Sequence, residues 1–356
     1  MARQRAIWAT VMVAVVMVAG ACGGSPKRHA ALATTTTVAP TTTTTKPPAR
    51  AAVAPVCPLN GLPPPGGRVP PRPALAVKID NFPSARPQTG LSSADVLYEE
   101  PVEGGLTRFI AIFQCHDAPL VEPVRSGRLI DPEILSQYGA HPLIAYSGAI
   151  QPAVAAIDSS QLIDVGANRA PLSAFWRDPN RAAPHNLATS TAALYAFGAS
   201  LHAPAVAPPS PFVFGPLDPT AGPAASVHIA FTVSSVTWTW VQSAGAWFRS
   251  NSDTGAATVG EGGPLKTNNV IVMHVVLFPS QYVEDPTGAH ENLLVLTGTG
   301  PLQVFRNGTM VNGTWSRPSL AANTSYLDGA GHLIALSPGQ TWIELVPTTV
   351  AVTATP

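Results

Sequence analysis

The chain has 356 residues, with 20 Lys and Arg against 20 Asp and Glu, a formal net charge of zero and a pI near 7.1. That balance, with no basic stripe and no RNA-binding motif, argues against a nucleic-acid partner, while a hydrophobic share of 46% suffices for two domains with their own cores. Charged residues are only 11% of the chain, so any place where they concentrate needs a physical reason.

Residues 1–24 read as a targeting segment. Arg3 and Arg5 form a basic start, residues 7–19 form an apolar run, and Ala19-Gly20-Ala21 places small residues before Cys22. The pattern predicts a lipoprotein signal in which Cys22 is acylated and becomes the mature N-terminus. Ala19 departs from it, since a larger aliphatic residue is usual there; the alternatives are ordinary signal cleavage and, against the shortness of the apolar run for spanning, an uncleaved signal anchor. Each outcome carries the rest of the chain out of the cytoplasm. Residues 25–55 are Thr- and Pro-rich with few large apolar side chains, so they cannot offset the entropy of ordering and read as an extended tether. About 30 residues at ~3.3–3.6 Å each reach at most about 100 Å. Cys57 and Cys115 are then the remaining thiols in an oxidising compartment. They are candidates for a disulfide or, alternatively, for two separate buried cysteines.

Strands are predicted over residues 75–79, 96–100, 106–113 and 142–146. Between residues 76 and 128 the charges crowd: Asp80, Arg86, Asp95, Glu99, Glu100, Glu103, Arg108, Arg125 and Arg128 lie among apolar runs. Charges beside a core must be paired or form a site. Period-two geometry puts Val96, Tyr98, Glu100 and Val102 on one face of their strand and Leu97, Glu99, Pro101 and Glu103 on the other. Taking Gly104-Gly105 as a two-residue turn sets Glu103 opposite Leu106 and Pro101 opposite Arg108, which predicts a Glu99–Arg108–Glu103 cluster. The cluster reads either as a ligand site or as a fold-specifying network. Asp80 and Asn81 end the first strand and either line the same pocket or cap a turn before Pro83.

The run Arg125-Ser126-Gly127-Arg128 precedes a helix start at Asp131-Pro132-Glu133, with that helix predicted to continue to Tyr138. Two guanidiniums near a helix N-terminus suit a carboxylate or phosphate, although Asp131 competes for that helix end and the arginines have glutamates nearby. Further helices are expected over residues 151–157, 171–177 and 189–200. His185 and Asn186 fall just before the last of these. There a histidine serves as acid, base or ligand, or makes a structural hydrogen bond.

The series KIDNFPSARPQTGL, ADVLYE, VEGGLTRFIAIF and PVRSGR, followed by RAAPHNL from Arg181 to Leu187, resembles the YerB-like family of bacterial lipoproteins over residues 58 to about 346. The resemblance implies an N-terminal domain carrying these motifs, a smaller C-terminal domain and an extracytoplasmic location. It supplies no reaction.

Residues 204–225 are rich in Pro and Ala and read as a connection between a domain over residues 56–203 and a β-rich one over residues 226–347, with residues 348–356 as a tail. Strands are expected at residues 227–233, 236–241, 246–250, 270–278, 293–297, 302–305 and 341–346, with turns at Asn307-Gly308, Asn312-Gly313 and Asp328-Gly329. Trp238 and Trp240 share a face, as sheet core or as a sugar-stacking platform. The fold class is therefore an α/β domain with a mixed sheet, followed by a smaller β-rich α+β domain.

No phosphate-binding loop, dinucleotide fingerprint, zinc-protease helix or C-x-x-C is present, and the histidines lack metal-ligand spacing. No cofactor and no obligatory metal are expected. The ligand-binding candidates are Asp80, Asn81, Arg86, Glu99, Glu103, Arg108, Arg125, Ser126, Arg128, His185 and Asn186. They suggest a membrane-tethered lipoprotein on the extracytoplasmic face of the cell membrane that binds a cell-wall glycan, a peptide or another anionic envelope ligand. The alternative is a hydrolase or phosphotransferase-like enzyme acting on envelope polymers. Binding is preferred because no nucleophile, base and oxyanion donor assemble in the sequence.

Overall fold

The first strands form where β-branched and aromatic residues run between turn signals. In the computed structural model, which describes residues 54–284 and 287–356, they are β1 (Leu75–Asp80), β2 (Val96–Pro101), β3 (Thr107–Phe113), β4 (Leu143–Ala145) and β5 (Ile163–Asp164). The signal segment, Cys22 and nearly all of the tether lie outside the described residues. A short hairpin, β6 (Phe175–Arg177) and β7 (Leu187–Thr189), follows, and the helices are α1 (Asp131–Leu135), α2 (Gln151–Asp158) and α3 (Thr191–Ser200).

The second half adds β8 (Ser226–Ala230), β9 (Ser235–Val241), β10 (Ala246–Asn251), β11 (Asn269–Val275), β12 (Leu277–Val283), β13 (His290–Leu294), β14 (Gly298–Arg306), β15 (Thr309–Arg317), β16 (Ser325–Asp328), β17 (Thr341–Pro347) and β18 (Val352–Thr355). The main sheet has 11 strands, ten of them in the order β16-β15-β14-β11-β17-β2-β3-β1-β4-β5. β17 lies between β2 and β11 and runs parallel to both, so strands from the two halves of the sequence alternate in one sheet. A six-stranded sheet built on β10, β9, β8 and β18 packs on one face.

Both faces of the main sheet are covered, which explains the uninterrupted apolar runs of its central strands. Leu75, Val77, Leu97, Phe109, Val270 and Trp342 meet Val227, Ile229, Val236, Trp238 and Trp247 of the second sheet. On the other face Ala76, Val96, Tyr98, Ile110, Ile271 and Ile343 meet Ile134, Leu135, Tyr138 and Ile157 of α1, the turn after it and α2. Cys57 and Cys115 are joined in a disulfide with Cα atoms 5.9 Å apart.

Several expectations are corrected. Residues 171–177 do not form a helix: after a short turn at Leu172–Ala174, Phe175–Arg177 pairs with Leu187–Thr189, because Phe and Trp favour an extended, paired strand over a short helix. Helix α1 stops at Leu135 instead of Tyr138, and its last carbonyl is taken in the following turn. Among the described residues no α-helix occurs after Ser200, so the C-terminal half is β rather than α+β, and much of the whole is sheet. Residues 352–355 are no tail, since β18 pairs with β8.

The β2–β3 register also differs by one residue. Gly104 and Gly105 have φ of 69° and 75°, and Glu103 joins them in a three-residue turn closed by Val102 N–H donating to Leu106 O at 2.8 Å. Arg108 therefore faces Glu100, not Pro101. Because side chains alternate with period two, this slip moves Arg108 to the face opposite Glu99.

Candidate functional site at the carboxyl ends of the parallel strands

The charges of the motif region separate into three groups. On the helix-covered face, fully buried Lys78 bonds to Glu100 and, at 2.6 Å, to Asp131. Beside it Arg128, only 1% exposed, bonds to Glu103 and pairs with Glu284 at 2.9 Å and Glu291 at 3.9 Å. Its backbone N–H donates to Asp131 Oδ2 at 2.7 Å. Arg108 reaches Glu103 at 3.4 Å. Burial pushes the Arg108 guanidinium down to about 10, and the nearby Arg128 charge adds to the effect. Burial opposes the Glu103 charge, yet Arg128 and Arg108 together hold its carboxyl below the ordinary range. Burial raises Glu100, and it pushes Glu291 up to about 7.

On the opposite face Glu99 bonds to Arg249 and accepts from Thr107 Oγ1 at 2.6 Å. Arg249 lies 5.1 Å from the Trp342 ring and 5.2 Å from that of Phe109. Glu344 completes the group, 3.4 Å from Arg249 and accepting from Trp238 Nε1 at 2.7 Å. Burial and the Glu99 charge push Glu344 well above the ordinary carboxylate range. The predicted Glu99–Arg108–Glu103 cluster therefore does not form: the sheet separates Glu99 from the other two. Trp238, Trp247, Trp315 and Trp342 are core residues, while Trp240 is half-buried, packs against Trp247 with ring centroids 5.5 Å apart and donates to Gln242 Oε1 at 2.7 Å.

The third group faces outward. β1, β4 and β5 run parallel, and their carboxyl ends lie side by side, the position where open sheets with parallel strands present ligand sites. Asp80 ends β1, and its Oδ1 accepts Phe82 N–H at 3.0 Å. Its Oδ2 pairs with Arg125 Nε at 3.0 Å and His185 Nδ1 at 2.7 Å. The His185 ring stacks on Phe82 with centroids 5.4 Å apart and planes 6° from parallel, and the Phe82 residue is 42% exposed. Segment 123–127 is held between the ends of β1 and β4: Asp80 N–H donates to Pro123 O, Arg125 N–H to Lys78 O, Ser147 N–H to Arg125 O and Gly127 N–H to Gly148 O. This backbone frame fixes Arg125 while leaving its side chain 27% exposed, with Asp80 its one ionic partner among the described residues. Next along the same edge, Tyr146 donates to Asp164 Oδ2 at 2.7 Å, and Arg169 pairs with Asp164 at 2.9 Å.

Of the predicted residues, Asp80, Arg125 and His185 are therefore in direct contact, with Ser126 in the same framed loop. Asn81 is buried between Thr107 and Arg86, and Arg86 is clamped by Asp253 through two bonds of 2.8 Å. Asn186 accepts from Arg177. Arg128 is enclosed by carboxylates, and α1 has only five residues, so the expected anion site between Arg128 and that helix does not form, and Arg125 is the arginine of that loop left partly exposed. Sequence reasoning missed Phe82, Tyr146, Asp164 and Arg169. The available signal was positional, since Asp164 ends its strand as Asp80 does. Among the described residues no group of three or more His, Cys, Asp or Glu side chains is arranged to hold a metal ion.

These features define a two-part sheet protein whose parallel-strand ends carry an Arg–Asp–His group, with Asp80 buried and Arg125 and His185 partly exposed. The N-terminal domain of a protein family of unknown function, DUF3048, matches residues 59–203, and the C-terminal domain of that family matches residues 227–343. The chain belongs to this YerB-like family. It is 27% identical over 278 residues to "Putative lipoprotein YerB" of Bacillus subtilis (strain 168), covering 77% of this chain and 81% of the relative. The crystal structure of YerB protein from Bacillus subtilis is similar to this fold with a TM-score of 0.71 at 24% identity, covering 84% of this chain and 99% of that one.

Proposed function

We propose that the protein is a lipid-anchored extracytoplasmic module, tethered through Cys22, that binds an anionic group of a cell-envelope glycan, peptide or phosphate at Arg125. The lipoprotein relative and the cysteine after an apolar segment support the anchor. Among the described residues no helix is long and apolar enough to cross a membrane. The observation that carries the binding reading is the Arg125 guanidinium: its Nε is aligned by Asp80 at 3.0 Å, and the side chain stays 27% exposed in a backbone-framed loop with Ser126, beside His185. Bidentate recognition of an oxyanion needs such a pre-aligned fork.

Thermal-shift screening against muropeptides, wall polysaccharide fragments and polyprenyl phosphates tests it. A stabilising ligand whose effect disappears in Arg125→Ala supports the reading, and no effect from any of them counts against it. A second reading rests on the His185 Nδ1 to Asp80 contact at 2.7 Å, which orients the imidazole as in general acid–base catalysis. It predicts turnover of the bound ligand that His185→Gln abolishes without weakening binding.

A further inference from the structure

A cleft of 950 Å³ runs beside residues 118–122, at the upper end of the size range of small-ligand sites. Residues 84–93 line one side, residues 118–122 and 178–182 the other, and Gly260-Glu261 reaches it from the C-terminal half. The walls are tied by backbone: Thr89 N–H donates to Glu122 O at 2.9 Å, Glu122 N–H to Thr89 O at 3.2 Å and Gly260 N–H to Gln88 O at 2.8 Å. A Cβ on Gly260 would lie 2.1 Å from Thr89 Oγ1, so this close approach requires glycine. It also sets Glu261 in place, where Oε1 accepts the Gly90 N–H at 2.6 Å and Ser92 Oγ at 3.1 Å. The cleft is thus preformed, with a carboxylate from the far half of the sequence fixed within it.

Its lining carries two arginines against three carboxylates, and both arginines are occupied by the protein itself. Arg86 donates to both oxygens of Asp253 at 2.8 Å and to the side chain and carbonyl of Asn81. Arg181 donates from Nε to Glu122 at 3.1 Å, from Nη1 to Ala85 O at 3.0 Å and from Nη2 to Pro87 O. Glu122 is buried in the wall and neutralised by Arg181. Two carboxylates are left facing the opening. Exposed Glu261 has no cationic partner among the described residues. Asp178 accepts Asn180 N–H at 2.8 Å on Oδ1, and its Oδ2 has only a 3.8 Å contact with Arg181 Nε. No guanidinium remains to hold an anion, and a cleft lined by an excess of one sign concentrates ions of the other. Ser84, Ser93 and Asn180 both give and accept hydrogen bonds, as a peptide backbone requires, while Pro87, Pro119 and Leu120 offer apolar contact.

We propose that this cleft binds a short peptide bearing primary amines, with its ammonium groups at Glu261 and Asp178 and its chain between the two walls. An ammonium on a flexible apolar stem suits the arrangement: the stem lies on the prolines and Leu120, and the charge meets a carboxylate at the open rim, where it keeps part of its hydration. The mixed polar and apolar lining between the carboxylates favours a peptide over a bare polyamine. The site is separate from the anion reading at Arg125, and either stands without the other.

The test presents the full-length protein in detergent micelles to an array of short lysine-containing peptides, to the same peptides with acetylated amines, and to spermine, followed by calorimetry on those retained. Retention of lysine peptides, lost on acetylation and weakened as salt rises, is the expected result. The Glu261→Gln/Asp178→Asn double variant is expected to weaken binding about tenfold, and Ala182→Trp, which fills the cleft from an exposed position, by as much. Asp218→Asn removes a charge from a turn outside the cleft and leaves binding unchanged, as does Arg125→Ala. No retention, equal retention of acetylated peptides, spermine held as tightly as the peptides, native affinity in the double variant or in Ala182→Trp, or an equal loss in Asp218→Asn would overturn the proposal.

Discussion

Arg125 and Arg128 are three residues apart and do different work. Arg128 is enclosed with Glu103, Glu284 and Glu291, so removing it strands buried carboxylates. Arg128→Met is expected to lose about 3–5 kcal/mol in urea unfolding, the usual penalty for breaking a buried pair. Arg125→Ala leaves Asp80 bonded to His185 and should change stability by less than about 1 kcal/mol while removing ligand binding. Glu291 adds a pH dependence. Its carboxyl is raised from an ordinary 4.5 to about 7 by burial, so the folded state holds a proton that the unfolded chain gives up. The stabilisation it contributes is present below about 4.5 and is lost as pH rises through about 7. Melting temperatures of the native protein and Glu291→Gln should be close at low pH and diverge as pH rises through about 7, the native protein falling below the variant. A difference that does not vary with pH contradicts the assignment.

At the scale of elements, what could be read from the sequence follows the range of the interactions. Strand β1, the start of β2 and helix α2 announce themselves through local alternation and turn chemistry, and the bounds found are within a residue or two. Asp80 was recognisable as a strand end, but its bond to His185 spans 105 positions and no local pattern encodes it. Glu99 finds Arg249 across 150 positions, which is why the neighbouring Arg108 was the nearer guess. The register error has a similar origin: whether a Gly-Gly turn has two or three members depends on Glu103 finding Arg128, a tertiary contact. Two elements invite direct tests. Truncation after Val350 removes β18 and bares the edge of β8, so the melting temperature should fall and the protein should self-associate on gel filtration. Replacing Cys57 and Cys115 by serine releases a loop of about 59 residues and should lower stability by roughly 2–4 kcal/mol.

For the molecule as a whole, the interleaved sheet governs behaviour. Although two family domains are matched in sequence, β17 from the second lies between β2 of the first and β11 of its own half. Neither half can complete its core alone, and calorimetry of residues 53–356 should show one cooperative transition, with the fragment ending at residue 203 showing none. This frame also fixes Arg125 in place, because segment 123–127 is hydrogen-bonded to the ends of β1 and β4 instead of hanging from them. Arg125 is the group proposed to meet the ligand. The most direct measurement is calorimetric titration of residues 53–356, native and Arg125→Ala, with the envelope fragment that gives the largest thermal shift. Saturable binding that falls at least tenfold in the variant, with both proteins melting at nearly the same temperature, is the predicted result; equal affinity in the two would contradict it.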